Sequence, residues 1–296
     1  MKKTLIALAA VAVSSAAMAQ VTLSGVVAAR YDSDKTSATV TNKGFRINDA
    51  QVNFTATEDL GGGLKATARY SIDGATFDGS DMKGDGVDLT LSGGFGAVAF
   101  SGRDASDYLP LDLITDSNLF NGTVDQRLTY QSPTMSGLRF TATLAQGSNT
   151  QVQSATNELK LYELDYTAGP LTANVGMMNV DKATHTAFDG GTRFKVGYNF
   201  GVAAVSYGVM NTEDADGLKD KTSALSVSVP MGAVTLGYAY ASHTDASVSA
   251  TARTGTQISA SYALSKRTSL SFSLDSYESA TYASAKRTRF GLGHSF

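Results

Sequence analysis

The last eleven residues, Lys286 to Phe296, constrain this chain more than any other stretch. Extended, they place Phe290, Leu292, His294 and Phe296 on one face and Arg289, Gly291, Gly293 and Ser295 on the other. A strand ending on an aromatic residue must be paired. An exposed edge templates aggregation, and in lipid each orphan amide costs several kcal/mol. The expected partner is the first alternating stretch, Val21-Thr22-Leu23-Ser24-Gly25-Val26-Val27. The two ends therefore predict a sheet closed on itself, with Phe290, Leu292, His294 and Phe296 as its closing set.

The period of two continues between the ends. Leu64 to Ile72, Leu138 to Leu144, Val234 to Tyr240 and Leu270 to Asp275 each alternate an apolar face with a polar or small one. A soluble sandwich alternates as well. Here the polar face carries Arg, Lys, Asp and Thr, as a wet lumen allows, and Tyr or Phe recur near strand ends, as interfacial girdles do. Connections alternate in length. Tight ones fall at Asp59–Gly63, Gly93–Gly96, Pro133–Gly137, Gly169–Pro170, Phe200–Gly201, Pro230–Gly232 and Ser265–Arg267. Longer polar ones fall at 74–86, 104–125, 146–156, 181–190, 213–220 and 244–252. Short periplasmic turns and long outer loops are the outer-membrane pattern, and the count comes to about 16 antiparallel strands. Side chains cannot fill a barrel of that size, so the class is an all-β transmembrane barrel with an aqueous channel.

Residues 1–19 stand apart from the barrel. Lys2 and Lys3, the apolar run Leu5–Val13 and Ala17-Met18-Ala19 form a Sec-type signal peptide pattern. Cleavage is expected between Ala19 and Gln20, leaving 20–296 as the barrel domain of an exported, outer-membrane chain. The apolar run is about half of the roughly 20 residues that a spanning helix needs. There is no cysteine, so the backbone network must stabilise the fold unaided. The net charge of −3 and the absence of a basic patch argue against nucleic acid as a partner. His185, His243 and His294, read as two loop residues and one strand residue, lack metal-ligand spacing. No nucleophile, base and acid are arranged for catalysis, so neither a cofactor nor a metal is expected, and the chain is not read as an enzyme.

Alternation also assigns the cations. Opposite the apolar sets, Arg30, Arg69, Arg103, Arg127, Arg139, Arg193, Lys195, Arg253 and Arg289 point inward. Arg46 has no readable phase, because its parity slips against Val52 and Phe54. An arginine facing lipid at the midplane costs about 2–4 kcal/mol, so as a set these residues must face water.

Several motifs resemble the general Gram-negative porins of the Neisseria and Burkholderia type. They are Glu58-Asp59-Leu60-Gly61-Gly62-Gly63-Leu64-Lys65-Ala66, Tyr262-Ala263-Leu264-Ser265-Lys266-Arg267-Thr268 and the closing Gly291-Leu292-Gly293-His294-Ser295-Phe296. Weaker matches are Gly94-Phe95-Gly96 with Gly102-Arg103, and Tyr130-Gln131-Ser132-Pro133 with Gly137. The chain departs from that pattern where Gln51-Val52-Asn53 replaces an arginine-rich motif. The resemblance implies a homotrimer in outer-membrane lipid that passes small hydrophilic solutes and ions. It also implies that the barrel-assembly machinery reads the closing strand. It further implies that the third long loop folds inward as an acidic constriction carrying Asp104, Asp107, Asp112 and Asp116. Arg30, Arg69, Arg103, Arg127 and Arg139 would then form the basic wall facing it, a charged eyelet of the kind that biases ion passage. The competing readings are a structural or adhesive barrel without an open channel, and an outer-membrane hydrolase.

Overall fold

A computed structural model describes residues 20–35, 40–74, 83–103, 125–147, 158–180, 190–213, 217–245, 249–278 and 285–296. The first half of the chain contributes β1 (Gln20–Lys35), β2 (Thr41–Gly61), β3 (Leu64–Asp73), β4 (Lys83–Gly93), β5 (Gly96–Arg103), β6 (Asp125–Gln131), β7 (Leu138–Gly147) and β8 (Glu158–Ala168). The second half contributes β9 (Leu171–Val180), β10 (Gly190–Asn199), β11 (Ala204–Glu213), β12 (Lys219–Met231), β13 (Val234–Asp245), β14 (Ser249–Ala263), β15 (Thr268–Tyr277) and β16 (Ala285–Ser295). Each strand pairs antiparallel with its neighbours in sequence, and β1 pairs with β16 to close a barrel of 16 strands. Strands and turns thus fall where the alternation placed them, with β4, β12 and β14 beginning inside the loops expected at 74–86, 213–220 and 244–252.

The turns confirm the punctuation. Gly62 and Gly63 reverse the chain between β2 and β3 at φ 61° and 80°, a left-handed conformation that side chains other than glycine rarely adopt. At the same barrel end the seam closes on the last residue. The Gly25 amide donates to the Phe296 carbonyl and the Phe296 amide to the Gly25 carbonyl, each at 3.0 Å. The Phe296 ring lies over Gly25, where a Cβ would meet Phe296 Cζ at 2.5 Å. The seam runs from Val26 opposite Ser295 to Lys35 opposite Lys286. Only the last part of the expected partner Val21–Val27 therefore touches β16. Residues Gln20–Ser24 overhang it and pair with β2 alone, because closing a barrel of tilted strands requires a stagger.

Among the register shifts of the described residues, two bulges reset the phase of alternation beside the lumen charges. Ala28 is opposite Asp49 and Ala29 opposite Ile47, which leaves Asn48 as the extra residue in β2. Ser71 is opposite Gly86 and Ile72 opposite Gly84, which leaves Asp85 as the extra residue in β4. An extra residue turns the following side chains to the opposite face. The first bulge explains the slipped parity of Arg46 and puts it on the lumen face beside Arg30.

Outside, a belt of large apolar side chains circles the barrel. Leu23, Phe54, Tyr70, Leu89, Phe100, Leu164, Phe194, Tyr207, Ile258, Phe272 and Phe290 are all 39% exposed or more. Such a patch is excluded for a soluble monomer and is expected against lipid. Inside, the wall is polar over most of its circumference but not all. Leu159, Leu161, Met178, Val180 and Met210 share the lumen face of β8, β9 and β11 and are nearly or fully buried. In β8 simple alternation would have sent Leu159 and Leu161 outward and Lys160 inward. The register does the reverse.

Candidate functional site, the lumen wall

The wall is built from side chains that alternate inward and are held by their neighbours across the ladder. On the closing seam, Arg30 of β1 lies opposite Arg46 of β2, with Arg289 of β16 on the other side of Asp32. Asp32 takes Arg46 Nε at 2.6 Å and Arg30 Nε at 3.0 Å, and lies 3.8 Å from Arg289 Nε. Asp275 of β15 faces Arg289 at 3.5 Å and Arg287 at 4.0 Å, and accepts a hydrogen bond from Gln257 at 2.9 Å. Asp34 faces Arg287 at 3.6 Å, and Arg287 donates to the Tyr277 hydroxyl at 2.9 Å. Four guanidiniums thus share three carboxylates along one stripe of wall. The longer contacts are charge pairs rather than hydrogen bonds, and Arg287 Nε and Arg289 Nε have no hydrogen-bond acceptor.

Further charged groups line the lumen away from that stripe. Arg69 donates twice to Asn53 Oδ1, at 3.0 and 2.6 Å, and lies 3.5 Å from Asp88. Beside it the bulged Asp85 accepts from Gln51 at 2.7 Å and from Ser71 at 3.0 Å. Across the barrel Arg193 is held by Glu163 at 2.7 Å and by Asn174, while Asn174 donates to Asp165, which faces Arg139 at 3.5 Å.

These positions test the sequence reading. Arg30, Arg69, Arg127, Arg139 and Arg193 occupy lumen-facing positions. Arg103 holds the matching register position, opposite Gly86 and Asp125. Arg30 and Arg69 each sit in an ion-pair cluster, Arg30 at Asp32 and Arg69 beside Asp88. Sequence reasoning missed Arg287, although it lies two residues from Arg289 and so shares its phase. The loop aspartates Asp104, Asp107, Asp112 and Asp116 lie outside the described residues, as do Ala19 and His185, while Gln20 opens β1. His243 is a strand residue rather than a loop residue. Its Nδ1 is 2.8 Å from Thr222 Oγ1 on the lumen face. His294 faces outward as expected, with Nδ1 2.9 Å from Thr268 Oγ1. Among the described residues no group of three His, Cys, Asp or Glu is placed to hold a metal ion.

A closed sixteen-strand barrel, apolar outside and lined with paired charges inside, defines an outer-membrane channel protein. Comparison with known proteins gives the family. The model of the Gram-negative porins matches residues 4–282. Outer membrane porin protein 32 of Delftia acidovorans is 30% identical over 279 residues, which cover 79% of this chain and 77% of that one. The anion-selective porin from Comamonas acidovorans superposes with a TM-score of 0.75 at 21% identity, over 94% of this chain and all of the other. A mutant of the Rhodopseudomonas blastica porin superposes with a TM-score of 0.71 at 13% identity, again over 94% of this chain. The chain belongs to the Gram-negative porin family. It resides in the outer membrane and forms a water-filled channel for passive diffusion of solutes, in a family and fold known as channels rather than enzymes.

Proposed function

We propose that the stripe Arg287, Arg289, Arg30 and Arg46 is the basic wall of the channel's selectivity region and gives it a preference for small anions. The observation that carries this reading is the excess of guanidiniums over carboxylates along that stripe. The selectivity stated for the Comamonas porin agrees with it. Arg69, Arg103, Arg127 and Arg139 extend the wall, and the acidic loop with Asp104, Asp107, Asp112 and Asp116 forms the opposing side. The buried apolar lumen patch on β8, β9 and β11 supports inward folding of that loop. Its segments Tyr108–Leu111, Leu113–Ile114 and Leu119–Phe120 are apolar and match such a surface.

A unit charge about 4 Å from a passing ion is worth about 1 kcal/mol in water-like surroundings, roughly a factor of five. In a salt gradient across a planar bilayer, Arg46→Glu and Arg289→Glu, which each change the local charge by two units, are expected to move the permeability ratio toward cations by more than about fivefold. Asp107→Lys and Asp112→Lys should move it toward anions. An unchanged reversal potential in all four variants would remove these residues from the selectivity region.

The same reading includes cleavage between Ala19 and Gln20 and recognition of the closing strand by the barrel-assembly machinery. It also includes a homotrimer packed through small outward residues. Ala56 and Ala68 lie directly opposite one another, with Ala29 on the same face of β1. Gly25 contributes less to such packing than its size implies, because the Phe296 ring covers it.

A further inference from the structure

We infer that the hydroxyl-lined wall of β12 to β16, between the arginine stripe and the short turns, is a subsite for neutral sugars in transit. The inference rests on the channel reading and names one class of solute that the channel holds. Two cross-strand rows face the lumen there. Ser228, Gly237, Ser259 and Ser273 form the first, which ends on Arg289. Thr235, Ser261, Ser271 and Gly291 form the second, which ends on Arg30. Together they line a recess of about 540 Å³, a volume within the usual range for small-molecule sites. Glycine deepens it. A Cβ on Gly237 would overlap Ser259 Oγ, and one on Gly291 would meet Ser271 Oγ at 2.6 Å. Both serines therefore lean across positions that carry no side chain.

The hydroxyls of this recess are uncommitted. Elsewhere on the wall, hydroxyls pair across the ladder, Thr57 with Thr67 at 3.4 Å, Thr129 with Thr143 at 3.1 Å and Ser206 with Ser226 at 2.5 Å. Among the described residues, Ser228, Thr235, Ser259, Ser261, Ser271 and Ser273 make no such bond. Ser259 nevertheless stands directly opposite Ser273, and Ser261 directly opposite Ser271.

Each uncommitted hydroxyl can both donate and accept a hydrogen bond. Several of them on one concave face match a ligand whose own groups are hydroxyls. Charge does not direct the choice elsewhere. The rows hold no carboxylate or ammonium group before they reach the arginines. Those arginines already have counter-charges, Arg30 with Asp32 at 3.0 Å and Arg289 with Asp275 at 3.5 Å. A ring-form aldose is the small neutral solute that presents several hydroxyls on one face. Its bonds to the wall replace bonds to water, so each adds little net affinity. A channel site must hold that weakly if the solute is to leave it.

The test places the folded, purified barrel in a planar bilayer, with D-glucose as the probe. Triethylene glycol, of similar size but with mostly ether oxygens, is the control solute. Glucose should add a saturable, concentration-dependent fluctuation to the open-channel current of the wild type, and triethylene glycol should not. A neutral hydrogen bond is worth roughly a factor of five, so Ser259→Ala/Ser261→Ala/Ser271→Ala/Ser273→Ala, losing at least two such bonds, should bind glucose about 25-fold more weakly. Conduction in plain salt reports whether that variant is folded and open. Gly237→Ala/Gly291→Ala keeps every hydroxyl, fills the recess and should lose the glucose signal as well. Thr129→Val/Thr143→Val, on the wall whose hydroxyls are already paired, should keep it. A conducting wild type with no glucose signal would overturn the subsite alone, whereas a wild type that does not conduct would overturn the channel reading. Equal signals from the two solutes would overturn the subsite by showing only crowding of the pore. So would an unchanged glucose signal in both the quadruple serine variant and the glycine variant. A signal from gluconate but not from glucose, lost in the quadruple variant, would overturn it too and assign the serines to the anion path.

Discussion

Phe296→Asp is expected to remove at least half of the protein from the outer membrane, and deletion of Ala285–Phe296 to remove nearly all of it. The deletion leaves β1 and β15 as open edges, whose unpaired amides and carbonyls have no water to turn to in lipid. The point substitution isolates the last residue. It keeps the backbone bonds to Gly25 but loses the ring that covers Gly25, worth about 2 kcal/mol. A carboxylate near the membrane interface adds at most about 1 kcal/mol. Those terms lower stability without unfolding the barrel, so a large fall in outer-membrane level would come from failed assembly. Gly25→Leu separates the two effects. It displaces the ring and presses on the Gln51 carbonyl of β2, yet leaves the terminal residue intact, so it should lower the temperature at which the folded form is lost while membrane levels hold. Quantitative immunoblots of outer-membrane and periplasmic fractions decide the matter. Wild-type membrane levels of Phe296→Asp would show that the last residue acts only through packing.

Arg193→Met should be the most destabilising single change in the lumen. Arg193 is 8% exposed and is held by Glu163 and Asn174. Removing one partner of a buried pair strands the other, at about 3–5 kcal/mol. The Glu163 side chain is 23% exposed to the lumen, so a loss of about 2–3 kcal/mol is the better expectation. For a chain of this size that lowers the midpoint of thermal unfolding by about 5–10 °C. Arg193→Met/Glu163→Gln leaves no stranded charge and should recover more than half of the loss. Equal midpoints for the single and double variants would show that the pair carries no coupling.

The closed sheet, the strand count, the alternation of short and long connections and most of the inward cations were legible in the residues themselves. Alternation is a local property. A wall wet on one side and oily on the other imposes it on every strand, and glycine-rich turns punctuate it. Three things were decided only by the tertiary structure. The stagger of the closing seam set Lys35 against Lys286 and left Gln20–Ser24 overhanging, because register follows from strand tilt around the whole circumference. The bulges at Asn48 and Asp85 chose the side on which Arg46 and Asp85 act, since one extra residue reverses a period of two. In β8 the rule itself inverts, with Leu159 and Leu161 turned into the lumen and Lys160 outward. There the outer face lies toward the polar rim and the inner face is buried, so the side chains follow their surroundings rather than the alternation seen in the lipid belt.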